Sequence, residues 1–121
     1  MNILTVDLEE WFVVEALAER LESRQWDGLE STVAKNCHRL LELFGRHRVS
    51  ATWFVLGWVA QRHPELIAEI EAEGHEIACH SYYHRRVDTL TPEEFRADTL
   101  RALEAITAAV QRRPRGYRAP R

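Results

Sequence analysis

The sequence predicts an α/β domain in which parallel β-strands alternate with α-helices. Four short apolar stretches, each typical of a buried strand, are separated by longer stretches with the apolar period of an α-helix. Strands and helices in this order form right-handed crossovers, which place the strands side by side and parallel. The 121 residues, 45% of them hydrophobic and 29% charged, are sufficient for one globular domain with a modest core.

The first strand is predicted over residues 2–7, NILTVD, which is apolar, contains β-branched residues and ends among acidic positions. The first helix is predicted over residues 31–47, where Ser31 and Thr32 can cap the amino terminus. Helical spacing is shown by its apolar residues, Val33, Cys37, Leu40, Leu41 and Phe44. The pattern therefore indicates an amphipathic helix.

The second strand and helix are predicted over residues 49–57, which end at Gly57, and over residues 63–74. Pro64 occupies the first position of this helix and Gly74 lies just beyond its end, as the preferences of helix termini predict.

A third strand over residues 75–79 is followed by a helix over residues 91–113. This helix opens with a capping box formed by Thr91 and Glu94, with proline between them at the first helical position. Residues 115–120, RGYRAP, are predicted to begin a fourth strand.

Composition excludes several classes of protein. A net charge of −3 and scattered arginines disfavour a nucleic-acid partner. The amino terminus has no basic region, and an acidic residue interrupts its apolar stretch, so we expect neither a signal peptide nor a membrane span. We therefore expect a cytoplasmic location. Cys37 and Cys79 are too few for a disulfide scaffold, and we expect both to be reduced and buried.

Five polar residues follow the ends of the predicted strands. Asp7 and Glu9 follow the first, His80 and His84 follow the third, and Arg118 lies in the fourth. Because functional sites in parallel α/β folds gather beyond the carboxyl ends of the strands, we expect these side chains to lie on one face.

Two imidazoles and a carboxylate match a divalent ion such as Zn²⁺, with one coordination position left for water. The spacing of His80 and His84 points both rings the same way if the backbone there is helical. Acidic residues that end an apolar strand are costly unless they are compensated, which strengthens this interpretation. Ordinary half-buried histidines, capping or solvated carboxylates, and a surface arginine are the alternatives.

The other candidate residues have structural explanations. Glu10 is expected to face solvent, and His75 lies at the start of its strand, away from the expected site. No ligand role is expected for the remaining histidines, His38, His47 and His63. Packing is expected for the aromatic residues Trp53, Phe54 and Trp58.

Four segments, TVDLEEWF, ATWFVLG, GHEIACHSYYH and GYRAP, resemble in this order the polysaccharide deacetylase (NodB-homology, carbohydrate esterase) family, in particular its branch associated with bacterial exopolysaccharides. The resemblance covers almost the whole chain. It implies the N-terminal half of a distorted (β/α) barrel of about seven or eight strands. Residues 1–121 would then form a single partial NodB-homology domain.

The resemblance also implies a role for each residue of the site. Asp7 would be the catalytic base, Arg118 would orient it, and Glu9, His80 and His84 would bind the metal, most simply Zn²⁺. The implied reaction is metal-dependent removal of N-acetyl groups from a carbohydrate, in which the ion polarises the carbonyl and activates water.

The chain departs from the family pattern in two respects. Leu8 separates Asp7 from Glu9, whereas the commonest first motif has adjacent aspartates. The motif that supplies the general-acid histidine is expected beyond Arg121, so we expect the 121-residue chain alone to be an inactive, open sheet. An allantoinase-like or other small-amide hydrolase of the same fold, and an inactive module that binds sugar or metal, are the alternatives. The sugar, the native metal and the oligomeric state stay open.

Overall fold

The computed structural model describes residues 2–121, which are organised around a three-stranded parallel sheet. The strands, in their order across the sheet, are β1 (Thr5–Leu8), β2 (Thr52–Val55) and β3 (Glu76–Cys79). Leu8 pairs with Val55, and Val55 with Cys79, so the three strands end at the same level. The predicted parallel α/β arrangement is confirmed.

The described α-helices are α1 (Glu15–Ala18), α2 (Val33–His47), α3 (Gly57–Arg62), α4 (Pro64–Ala72) and α5 (Pro92–Val110). The sequence predicted α2, α4 and α5 but neither α1 nor α3. Short 3₁₀ turns cover Trp11–Val13, Ser23–Gly28 and Val87–Thr89. The capping box of α5 is present: the Glu94 N–H donates to Thr91 Oγ1 at 3.2 Å, and the Thr91 N–H donates to Glu94 Oε2 at 2.8 Å.

Gly57, predicted as the end of the second strand, lies beyond β2 and is the first residue of α3. A Cβ atom at this position would lie 2.6 Å from Ala102 Cα in α5 and 2.7 Å from Tyr82 Cδ2, closer than real Cβ atoms approach. The glycine therefore lets α3 pack directly against α5, a requirement that is visible only in the folded chain.

The predicted fourth strand is reduced to a single parallel bridge between Tyr117 and Cys79. The Cys79 N–H donates to the Gly116 carbonyl at 2.8 Å, and the Arg118 N–H donates to the Cys79 carbonyl at 2.9 Å. The ladder extends over this one residue only, yet its two hydrogen bonds hold Arg118 beside the end of β3.

The core lies between the sheet and the helices. Among its completely buried side chains are Trp53, Val55, Ile67, Ile70 and Ile106. His75 belongs to this core, where its Nδ1 accepts the Ala51 N–H at 3.1 Å, and the two cysteines are buried without a disulfide. Across residues 2–121, the helices lack the combination of length and apolar composition that crossing a membrane requires.

Candidate metal centre

Three of the predicted site residues converge beyond the ends of β1 and β3. One ligand atom from each of Glu9, His80 and His84 lies within 4.8 Å of the other two. Glu9 Oε2 is 2.8 Å from His84 Nε2 and 3.3 Å from His80 Nε2. The strand ends therefore bring together an acidic group and two imidazoles that are more than 70 residues apart in the chain.

The ring of His80 is held by a backbone group of the neighbouring segment. Its Nδ1 lies 2.9 Å from the carbonyl oxygen of Arg118. Because a carbonyl can only accept, Nδ1 carries a proton, and Nε2 is the ring nitrogen that faces Glu9 and is left to bind a metal ion. Histidines that bind metals are oriented by the same kind of hydrogen bond from the second ring nitrogen.

The segment from His80 to His84 is a loop, so the rings are not brought together by the helical turn under which their spacing was considered. Ser81 and His84 have φ angles of 63° and 56°, in the left-handed region. The His84 N–H donates to Ser81 Oγ at 3.0 Å. This turn brings the two imidazole rings to a centroid distance of 5.1 Å, which a continuing strand would not do.

Asp98 of α5 holds this loop and was not predicted from the sequence. Its Oδ2 accepts the Tyr82 N–H at 2.8 Å, and its Oδ1 lies 3.3 Å from the Tyr83 nitrogen that donates to it. A signal was present, because Asp98 lies one and two helical turns before the buried Ala102 and Ile106, on an otherwise apolar face.

Asp7 and Arg118 form an ion pair at the edge of the cluster. The sequence predicted both residues on this face, beyond the carboxyl ends of the strands. Arg118 Nη1 lies 2.5 Å from Asp7 Oδ1, and Nη2 donates to Thr5 Oγ1 at 3.0 Å. The guanidinium also lies 4.0 Å from the centre of the Phe54 ring. Asp7 Oδ2 is 4.0 Å from His80 Nε2, so Asp7 borders the three converging groups without joining them.

The prediction that Glu10 faces solvent was wrong, because its side chain is completely buried. Its carboxylate accepts the Ser31 hydroxyl and, at 3.1 Å, the Thr32 N–H. Neither Ser31 nor Thr32 caps α2 through its own side chain; the Glu10 carboxylate binds the start of this helix instead. Glu9 therefore faces the site, whereas Glu10 lies in the core and binds the start of α2.

Burial and neighbouring groups shift the pKa of two members of the cluster. Burial raises the pKa of Glu9, but the adjacent His80 and His84 outweigh it and lower the pKa to about 2. Burial lowers the pKa of His80, while Glu9 and the Arg118 carbonyl raise it, with a net upward shift. Glu9 is therefore an anion at neutral pH.

The donor set fits a divalent metal ion. Considering residues 2–121, Glu9 Oε2 is buried and has no partner with hydrogen-bond geometry, although both Nε2 atoms are close to it. One carboxylate and two imidazoles that face a common point are the ligands of catalytic Zn²⁺ sites. A cavity lined in part by Asp7 and Arg118 opens beside these groups.

Comparison with known proteins gives consistent matches. The family model described as polysaccharide deacetylase matches residues 26–121. The chitooligosaccharide deacetylase of Bradyrhizobium sp. is 42% identical over 82 residues, which are 67% of this chain and 37% of that protein. The peptidoglycan deacetylase of Helicobacter pylori is 33% identical over 82 residues, 68% of this chain and 28% of that protein.

A solved structure shares the fold. The peptidoglycan deacetylase PdaC of Bacillus subtilis superimposes with a TM-score of 0.75 at 22% identity, over 98% of this chain and 48% of that one. The chain thus spans less than half the length of each of these relatives.

Proposed function

Because the chain belongs to the polysaccharide deacetylase family, we propose that it is part of a metal-dependent enzyme that removes N-acetyl groups from a carbohydrate. Residues 1–121 then form the N-terminal part of one deacetylase domain. The observation that carries this proposal is the convergence of Glu9, His80 and His84 beside the ion pair of Asp7 and Arg118.

Glu9, His80 and His84 would hold the metal ion, and their chemistry favours Zn²⁺. A bound divalent ion supplies Lewis acidity to the amide carbonyl and increases the acidity of water. The chain contributes an ionised Glu9 carboxylate and a His80 ring whose Nε2 lone pair is directed into the site by the Arg118 carbonyl.

Asp7 would act as the general base. Arg118 binds its Oδ1, which leaves Oδ2 to accept the proton of a water that attacks the amide carbon. The side chain of Asp7 is 38% exposed, so water and substrate can reach it. Arg118 is itself fixed by Thr5 and by the Phe54 ring, and this fixes the orientation of the base.

A cavity next to the cluster is suited to a sugar. It has a volume of about 700 Å³, includes His84 in its wall, and is bounded by the aromatic residues Phe12, Trp26 and Tyr83. Ligand sites of this size combine apolar and aromatic walls with a few polar groups, supplied here by side chains such as Glu15.

The names of the relatives indicate the class of substrate. They include enzymes named for chitooligosaccharides and for peptidoglycan, both of which are N-acetylated glycans. We therefore assign an N-acetylated oligosaccharide or polysaccharide as the substrate class, and a bacterial exopolysaccharide is one member of it. The allantoinase-like or other small-amide hydrolase and the inactive module that binds sugar or metal have no support from the names of these relatives.

Zinc titration of the chain tests the metal centre. Competition with a chromophoric chelator should show tight binding by the unmodified chain and its loss in His84→Ala, because two ligands hold zinc poorly. His38→Ala is the matched control, since His38 is exposed on α2 and pairs with Glu69. Equal zinc affinity in His84→Ala and the unmodified chain would reject the ligand assignment.

Acetate release tests the reaction. The matching part of the Bradyrhizobium relative is replaced by this chain, and the chimera is assayed with chitooligosaccharides. We expect acetate release, and we expect Asp7→Asn to abolish it while zinc binding persists, because Asp7 lies outside the three proposed ligands. A folded chimera that binds zinc but releases no acetate would contradict the proposed activity.

A further inference from the structure

The loop between the two proposed histidine ligands has an unfavourable backbone conformation. Ser81 and His84 both have positive φ angles, 63° and 56°, although neither is a glycine. Such conformations persist when the surrounding structure holds them in place. The position of the His84 ring therefore depends on whatever fixes residues 81–84.

Two elements hold this loop from different sides. The N–H groups of Gly57 and Trp58, at the start of α3, donate to the carbonyls of Ser81 at 2.8 Å and Tyr82 at 3.3 Å. On the other side, the carboxylate of Asp98 in α5 accepts the N–H groups of the two tyrosines that precede His84. The loop carbonyls are thus bound by α3 and its amides by α5.

Asp98 has no packing reason to be a carboxylate. Its side chain is 3% exposed and lies on the helix face that also carries Ala102 and Ile106, both completely buried. Arg85 Nη2 lies 3.8 Å from Asp98 Oδ1, too far for a hydrogen bond. A buried carboxylate is costly unless hydrogen bonds compensate it, and here the compensating donors are backbone groups of the ligand loop.

We infer that Asp98 is a positioning residue of the metal centre. Its carboxylate accepts the backbone N–H groups of Tyr82 and Tyr83, which lie between the two proposed histidine ligands, and so holds the backbone that brings His84 Nε2 to Glu9 and His80. The expected effect on metal affinity rests on the proposed function. The expected effect on the conformation of the loop does not depend on it.

Zinc affinity of the chain measures the consequence. Residues that orient metal ligands typically change affinity by about 10- to 100-fold when they are replaced, and we expect a loss in this range for Asp98→Ala. Asp98→Asn keeps the shape of the side chain and one acceptor, so it should fold and show a smaller loss.

The control is Ile106→Ala, a completely buried position on the same helix, two turns from Asp98. It should lower stability without changing the zinc affinity of the folded protein. A loss of affinity that appears in the Asp98 variants but not in Ile106→Ala separates positioning from general destabilisation.

Hydrogen exchange of the metal-free chain measures the loop directly. The amides of Tyr82 and Tyr83 should exchange faster in Asp98→Asn than in the unmodified chain, and should be unaffected by Ile106→Ala beyond its global effect. Unchanged exchange of these amides, or wild-type zinc affinity in both Asp98 variants, overturns the inference. If the unmodified chain binds no zinc, the proposed metal centre fails, and the exchange rates alone decide the role of Asp98.

Discussion

Replacing Gly57 with alanine should destabilise the chain, although alanine is the better helix former. In an ordinary helical position this change gains about 0.5–1 kcal/mol. Here the added methyl group would lie 2.6 Å from Ala102 Cα and 2.9 Å from Ala102 Cβ. Because the obstructing atoms belong to the backbone and a methyl group of α5, no side-chain rotation can relieve the contact.

The size of the effect follows from the gain in helix propensity and the cost of the added methyl group. Inserting a methyl group into a well-packed core costs about 1–3 kcal/mol. After the gain in helix propensity is subtracted, the free energy of unfolding should fall by up to about 2.5 kcal/mol, and the contact with a backbone atom at 2.6 Å favours the upper part of this range. The third close atom is Cδ2 of Tyr82, in the ligand loop, so zinc affinity should also fall.

Gly45→Ala is the matched control. Gly45 lies inside α2, and a Cβ atom there would meet nothing within 4 Å. Urea denaturation followed by tryptophan fluorescence should therefore give a higher midpoint for Gly45→Ala and a lower one for Gly57→Ala, with similar slopes. A midpoint for Gly57→Ala at or above that of the unmodified chain would refute the claim that α3 and α5 leave no room at this position.

Two further changes test the electrostatics of the site, and one tests a helix end. The pKa of Glu9 is lowered from 4.5 to about 2, so its contribution to stability is complete above pH 4.5 and is lost as the pH falls toward 2. The difference in stability between Glu9→Gln and the unmodified metal-free chain should therefore shrink as the pH falls over that range. A constant difference would contradict this prediction. In the chimera, Arg118→Lys should lower kcat more than it changes KM, because lysine cannot bind Asp7 and Thr5 together; an unchanged kcat would count against the orienting role. Thr91→Ala should cost about 1 kcal/mol of stability, measured by urea denaturation, and unaltered stability would show that the capping box is dispensable.

The sequence predicted correctly those features that depend on contacts between residues close together in the chain, and it missed features that depend on contacts between distant residues. The start of α5 was predicted to the residue, because Thr91 and Glu94 cap the helix through contacts three residues apart. The alternation of strands and helices was likewise readable from periodicity, since each period reflects one buried face. The helix α3 was missed, because Gly57 is explained by the approach of α5, which lies more than 30 residues later in the chain.

The site shows the same division. The types and spacing of Asp7, His80, His84 and Arg118, together with a parallel strand order, were sufficient to predict which groups meet at the carboxyl ends of the strands. The spacing of the two histidines would align their rings on a helical turn, whereas the structure brings them together through a loop in which Ser81 and His84 have positive φ angles.

Only the tertiary structure decided where the Glu10 side chain lies and what holds the ligand loop. Glu10 turns into the core because Ser31 and Thr32 supply donors there, and Asp98 is buried because the loop amides of Tyr82 and Tyr83 need an acceptor. Local sequence encodes conformational preference through neighbouring residues. The partners of a buried polar group are set by which distant segments pack against it, and these become adjacent only when the chain has folded.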